Sequence, residues 1–202
     1  MDVVFYTQRV EIKEKYGERW DCADQNIPFF LEKCGYLSIP VPNNWEIAKR
    51  MLHQFKPVGI VLTGGNSLNK YGGDAPERDA LEIKLLSYAL EYDIPVFGFC
   101  RGMQVILDFF GCRLEEVYGH VAVHHEIHGI FAERKVNSYH RQACFLVNPP
   151  WEILAKAEDG VIEAVRHKQK PVLGIMWHPE REELFSSDDI KCVQKLFGKA
   201  EE

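Results

Sequence analysis

"PVFGFCRGMQVILDFFG", Pro95 to Gly111, decides how this chain is read. Val96 to Phe99 is a short apolar run, as expected of a strand covered on both faces. The stretch from Gly102 to Phe110 has the pattern of a helix. Between them Gly98, Cys100 and Gly102 form G-x-C-x-G. A strand that turns into a helix at such a cysteine is the thiol form of the nucleophile elbow. A side chain at 98 or 102 would collide as the strand folds back against the helix. The turn strains the cysteine backbone, and strain of this kind collects at working sites. Unpaired N–H groups at the helix start favour an anion there. The N–H of Arg101 points the same way, towards a tetrahedral oxyanion. Taken alone, the pattern also fits a buried cysteine with packing glycines; the strand before it and the helix after it favour the nucleophile.

Working outward, β-branched runs alternate with amphipathic helices. Val3 to Thr7, "YLSIPV" and Val58 to Leu62 read as strands. Helices are expected from an Asp21 cap to about Cys34, after "PNN" through Phe55, and from Pro76 to Tyr92. The rhythm predicts an α/β fold: a mostly parallel central sheet with helices on both faces. From Cys112 to Asn148 the segments are short and no long helix pattern appears. "VIEAV" and "VLGIM" are later strands, separated by a turn at Gln169 to Pro171, and a last helix spans about Ser187 to Phe197. No repeat or linker interrupts residues 1–202, which read as one domain.

Composition narrows the function. The chain has 202 residues and a formal net charge of -6, so no broad nucleic-acid surface is expected. No apolar run approaches the ~18 residues of a membrane span, and "MDVVFYTQRV" lacks the basic start of a signal peptide. The six cysteines include no C-x-x-C pair. Reduced thiols in a cytoplasm are the expectation.

Two further blocks complete a catalytic set. In "GIMWHPERE", His178 and Glu180 follow a strand, and alternate residues of extended backbone share a side. Glu180 can therefore hold the His178 ring while the ring faces the thiol, with Pro179 stiffening the link. In "VLTGG" a second strand breaks at Gly64 and Gly65, where a backbone N–H can join that of Arg101 in an oxyanion hole. Carboxyl ends of parallel strands cluster such loops.

Together "VLTGG", "GFCRGMQ" and "HPE" resemble the class I glutamine amidotransferase superfamily, with its flavodoxin-like fold. "VNSYHRQA" and "EDGVIEAV" are similar to its γ-glutamyl hydrolase branch, also classed as peptidase C26-like. The resemblance covers nearly the whole chain. It implies thiol attack on a γ-glutamyl carbonyl, with Cys100 as nucleophile, His178 as base and later acid, and Glu180 as orienter. Gln104 and the backbone around His140, Gln142 and Ala143 would hold the glutamyl amino and carboxylate groups. Met176 stands where many relatives have glutamine. "LTGGNSLN", "GFCRGMQ", "SYHRQA" and "MWHPERE" together resemble members of the branch that act on γ-glutamyl-CDP-amidate for capsular phosphoramidate. That substrate is strongly anionic, and Arg101, Arg141 and the histidines are candidate cations near it.

The resemblance leaves other readings open: a glutaminase subunit feeding a separate partner, a hydrolase of γ-glutamyl-γ-aminobutyrate, or a non-catalytic binding protein, whose signature would be a broken triad. No cofactor, nucleic-acid partner or membrane partner is expected, and the oligomeric state is open. "GHVAVHHEIHG" contains His120, His124, His125 and His128. His124 and His128 have the spacing of a helical metal pair, but the stretch does not look helical. It is expected to be a loop near the site entrance with no metal. Phe29, Phe30, Phe109 and Phe110 are expected in the core.

Overall fold

The computed structural model of the chain describes residues 1–130 and 133–198. In chain order its elements are β1 (Val3–Thr7), β2 (Arg9–Lys13), β3 (Glu18–Cys22), α1 (Asn26–Lys33), β4 (Leu37–Val41), α2 (Trp45–Phe55), β5 (Gly59–Leu62), α3 (Pro76–Glu91), β6 (Val96–Phe99), α4 (Arg101–Phe109) and β7 (Glu115–Glu116). They continue with β8 (Val121–Gly129), β9 (Arg134–Tyr139), β10 (Gln142–Ala143), β11 (Trp151–Ala157), β12 (Ile162–His167), β13 (Val172–Ile175) and α5 (Ser187–Leu196).

One nine-stranded sheet runs in the order β4-β1-β5-β6-β13-β12-β11-β8-β9. The first five strands pair in parallel. The remaining four extend the sheet by antiparallel pairing. The helices cover both faces of the parallel block, as the alternating sequence rhythm predicts.

Side chains alternate along each parallel strand and so feed two cores. Phe5, Ile60, Leu62, Val96 and Val172 point to one face, packed with Leu52 of α2, Leu81 and Leu85 of α3, and Met103 and Ile106 of α4. Val4, Val61, Phe97, Phe99, Leu173 and Ile175 point to the other, packed with Phe30 and Leu31 of α1 and Val193 of α5. Each such aliphatic side chain contributes roughly 1.5–3 kcal/mol on burial. Burial on both sides explains why β5, β6 and β13 read as unbroken apolar runs. The Asn44 side chain caps α2 by accepting from the Ile47 N–H at 3.1 Å, and Pro76 opens α3 where its missing N–H costs nothing.

Several expectations need correction. Asp21 does not cap a helix: it lies in β3, which pairs with β2 as an antiparallel hairpin around Gly17, and α1 begins only at Asn26. The Asp21 carboxylate instead accepts from the backbone and side chain of Asn43. Most of the histidine-rich stretch is no loop: Val121–Gly129 form the nine-residue strand β8, and His120 lies just before it. Of the four phenylalanines expected in the core, Phe30 is buried, while Phe29 and Phe109 are exposed.

Among the described residues no helix is long and apolar enough to cross a membrane. Among the described residues Cys22, Cys100, Cys112, Cys144 and Cys192 form no disulfide.

Candidate active site

β1, β5, β6 and β13 end side by side, and their loops build the site. At the end of β6 the chain enters α4 through Cys100, whose φ of 50° and ψ of −110° lie outside ordinary L-residue backbone. Steric crowding sets the sharpness of this turn. A Cβ on Gly98 would sit 2.5 Å from Ile106 Cδ1 and 2.7 Å from the Gly102 carbonyl carbon. A Cβ on Gly102 would sit 1.9 Å from the Leu62 carbonyl oxygen of β5. Only hydrogen fits at both places. The first N–H groups of α4 lack carbonyl partners from a preceding turn, so they face the thiol end of the elbow.

β13 ends at Ile175, the chain bends at Met176 and Trp177, and His178 is extended before a 3-10 turn over Pro179–Arg181. That turn, rather than extended backbone, brings Glu180 back to the ring: His178 Nδ1 and Glu180 Oε1 are 2.7 Å apart. Phe99 and Tyr139 hold the imidazole edge-on, with centroids 5.7 Å and 5.6 Å away. The free ring nitrogen is left for Cys100, which lines the same cavity as His178. Burial works to lower the His178 pKa, but the charge of Cys100 and hydrogen bonds to Cys100 and Glu180 outweigh it and raise it to about 9. The groups around the ring thus favour its charged form.

The Thr63–Gly65 loop closes the site from β5. A Cβ on Gly64 would lie 2.6 Å from His178 Cε1, so this loop touches the imidazole directly. Gly65 has φ +86, a conformation glycine adopts without strain. A buried ion network beneath holds the loop. Arg78 donates to the carbonyls of Thr63 and Gly65, both at 2.8 Å. Glu82 accepts from Arg78 Nε at 3.0 Å, from Thr7 Oγ1 at 2.6 Å and from Arg101 Nη1. Asp79 pairs with the other Arg101 Nη. Burial drives the Arg78 pKa down to about 10. Burial acts to raise the Glu82 pKa, but the guanidiniums of Arg101 and Arg78 hold it below its ordinary value. The carboxyl ends of β1 and β5 and the start of α4 are therefore locked together by one set of charges.

This network corrects one expectation. The Arg101 side chain is 1% exposed and engaged by Glu82 and Asp79, so it is no cation for substrate; only its backbone faces the cavity. Arg141 is exposed at the cavity wall.

A cavity of about 300 Å³ brings together Gly65, Cys100, Arg101, Gln104, His140, Arg141, Gln142 and His178. Gln104 donates from Nε2 to the Gln142 carbonyl at 2.8 Å, tying α4 to the β9–β10 turn. The His140 ring turns away, towards Glu163 of β12, so its backbone is what borders the cavity. Ala143 lies in the core, its strand paired with β7. Glu180 is buried behind the His178 ring.

Sequence reading missed Asn137. From β9 its amide accepts from the His178 N–H and donates to the His178 carbonyl, both at 2.9 Å, fixing the backbone of the candidate base. A polar residue among the inward positions of a strand was the available signal. The Arg78–Glu82 pair was also missed, although its i, i+4 spacing on α3 was visible.

Comparisons with known proteins point the same way. The profile of the family described as glutamine amidotransferase class-I matches residues 20–186. The γ-glutamyl-CDP-amidate hydrolase of Campylobacter jejuni subsp. jejuni serotype O:2 is 30% identical over 198 residues, covering 95% of this chain and 96% of that one. A subunit of the glutamine-hydrolyzing GMP synthase of Methanosphaera stadtmanae is 31% identical over 157 residues, or 72% of this chain and 77% of that one. Among solved structures, a protein from Thermoplasma acidophilum described as a GMP synthase subunit superposes with a TM-score of 0.72 at 18% identity, covering 98% and 94% of the two chains. That last likeness concerns the fold alone. With the family profile spanning the elbow, the glycine loop and the His-Pro-Glu turn, this chain belongs to the class I glutamine amidotransferases.

Proposed function

We propose that this chain hydrolyses a γ-glutamyl amide, residues 1–202 forming one catalytic domain. The observation that carries this reading is the strained Cys100 elbow facing His178, whose ring Glu180 holds at 2.7 Å. The Cys100 thiolate attacks the δ-carbonyl carbon; a C–S bond forms and the carbonyl electron pair moves to oxygen. The backbone N–H groups of Arg101 and of Gly64 or Gly65 receive that oxyanion. His178 gives its proton to the departing nitrogen and the C–N bond breaks. Water then attacks the γ-glutamyl thioester while His178 takes its proton. The C–S bond breaks, L-glutamate leaves and the thiolate returns.

The substrate we infer is γ-glutamyl-CDP-amidate, which would give cytidine diphosphoramidate for capsular phosphoramidate modification. Two observations support it. The match to the Campylobacter jejuni enzyme spans nearly all of both chains. Arg141 also stands between the reactive cavity and a second one of about 440 Å³, bordered by Tyr71 and Tyr118. A cation between the cavities suits a diphosphate, and the tyrosines suit a base. The glutamyl end would lie against Gln104 and the backbone of His140, Gln142 and Ala143.

The likeness to a GMP synthase component favours a second reading, a glutaminase that works with a partner protein. Turnover of glutamine, γ-glutamyl-γ-aminobutyrate and γ-glutamyl-CDP-amidate by the isolated chain separates them. We expect the nucleotide substrate to lead. Comparable rates on all three would remove that assignment, and glutaminase turnover that starts only with a second protein would favour the partnered glutaminase. Hydrolysis surviving in Cys100→Ala would overturn the mechanism itself.

A further inference from the structure

Behind the cavity floor lies a second cluster that this chemistry does not use. Glu163, on β12, is 0% exposed, and neither of its carboxylate oxygens makes a hydrogen bond. Three imidazoles face the same oxygen. Its Oε1 is 3.5 Å from His120 Nδ1, 3.4 Å from His125 Nε2 and 3.4 Å from His140 Nε2. None of these ring nitrogens has a hydrogen-bond partner either.

Proton sharing does not account for this spacing. Imidazolium–carboxylate hydrogen bonds run at roughly 2.7–2.9 Å, well inside what is seen. A buried carboxylate with no hydrogen bond is strongly disfavoured unless something positive meets it. Two ligands of one tetrahedral ion, each about 2.0–2.1 Å from it, lie about 3.4 Å apart. The separations around Glu163 have that size. Single ligand atoms of His120, His125 and Glu163 all fall within 4.8 Å of one another.

The surroundings supply what a metal-binding imidazole needs. His120 Nε2 lies 2.8 Å from Asp159 Oδ2. Donating its proton there leaves Nδ1 as a lone pair turned to Glu163, the carboxylate–histidine–metal arrangement. The His125 ring meets the His120 ring at 4.7 Å, steeply tilted to it. A pocket of about 310 Å³ bordered by Gly119, His120, His125 and Asp159 opens the cluster to solvent.

We propose that His120, His125 and Glu163 bind one divalent transition-metal ion of the zinc class, with Asp159 orienting His120. Two nitrogen donors and a carboxylate suit zinc rather than the all-oxygen sets of calcium or magnesium. This reverses the sequence expectation of no metal and uses a different pair of histidines. Strand β8 turns His125 inward and leaves His124 and His128 exposed. The ion would brace the site. The His120 carbonyl accepts from His140 N–H and from Ser138 Oγ, both at 2.9 Å, and Glu163 O accepts from Met176 N–H at 2.8 Å. Metal would thus join the turn after β9 to the strand that leads to His178. The inference stands independently of the substrate.

Because Cys100 and His178 can themselves hold zinc, the test uses Cys100→Ser protein treated with chelator and titrated with cobalt(II) and zinc. We expect one equivalent of cobalt with the visible bands of a tetrahedral site, displacement by zinc, and a rise in melting temperature. Cys100→Ser/His125→Ala should lose the bands, Asp159→Asn should bind about 10–100-fold more weakly, and His124→Ala should bind as before. His125 is partly exposed, so its replacement is expected to fold, which circular dichroism checks. Absence of stoichiometric cobalt binding in folded Cys100→Ser protein would overturn the proposal. Binding that persists unchanged in His125→Ala, or that disappears only with Cys100, would do the same.

Discussion

Gly98 of β6 and Gly174 of β13 are register partners on neighbouring parallel strands, and together they form the flat seat on which α4 rests. A Cβ on Gly174 would lie 2.8 Å from Met103 Cγ, as one on Gly98 would meet Ile106 and the Gly102 backbone. The helix that begins at Cys100 can therefore lie close to the sheet. The position of Cys100 depends on two glycines far apart in sequence as much as on the elbow motif itself.

The pair predicts an asymmetry. Gly98→Ala presses on the backbone of Gly102 and must displace α4, whereas Gly174→Ala meets chiefly the flexible Met103 side chain. We expect Gly98→Ala to cost about 1–3 kcal/mol of stability and most of the activity. Gly174→Ala should cost less in both. Urea unfolding with activity assays on the two variants checks this; equal effects would argue against a backbone clash.

His178 offers a pH test. Its pKa of about 9 in the fold exceeds the ordinary 6.5. The charged ring therefore stabilises the fold fully below about pH 6.5, and that contribution is lost as pH rises through about 9. Cys100→Ala removes the largest source of the upward shift. NMR of the His178 ring should show titration near 9 in the wild type and at lower pH in Cys100→Ala. The wild type should also lose more melting temperature between pH 7 and 10 than the variant does.

The buried network under the site should respond differently to single and double changes. Arg78→Met leaves Glu82 with one guanidinium fewer and frees the Thr63 and Gly65 carbonyls. Breaking such a buried pair costs about 3–5 kcal/mol. A compensating Glu82→Gln should recover part of that stability but little activity, because Thr7 and Arg101 lose their shared partner. A double-mutant cycle by denaturation measures the coupling.

On the proposed function, Arg141 should separate recognition from chemistry. Removing its charge in Arg141→Ala should raise KM for γ-glutamyl-CDP-amidate about tenfold or more, as for loss of a charge-assisted hydrogen bond. Glutamine turnover should change little. Steady-state kinetics on both substrates decide it, and equal losses on both would assign Arg141 to the glutamyl end.

Much of this was legible in the residues. The parallel block followed from runs such as "GIVL" and "VFGF", which are apolar throughout because both faces are covered. The elbow, the glycine loop and the His-Pro-Glu turn were legible because each is local, so its steric demands show as glycines and prolines in place. The hairpin of β2 and β3 was misread although Gly17 sits between alternating segments. Apolar residues at helical spacing after it drew the helix start too early.

What the sequence alone determined is the local pattern: strand–elbow–helix at Cys100, and His178 and Glu180 two residues apart. Tertiary structure decided what meets what. It buried the Arg101 side chain among the acids of α3, put Asn137 against the His178 backbone, and gathered His120, His125 and His140 around Glu163. The physical reason is range. Backbone sterics and capping act over a few residues and leave a mark at each position. Pairing of charges and imidazoles acts across strands, and is set only once the antiparallel strands have chosen their neighbours and register.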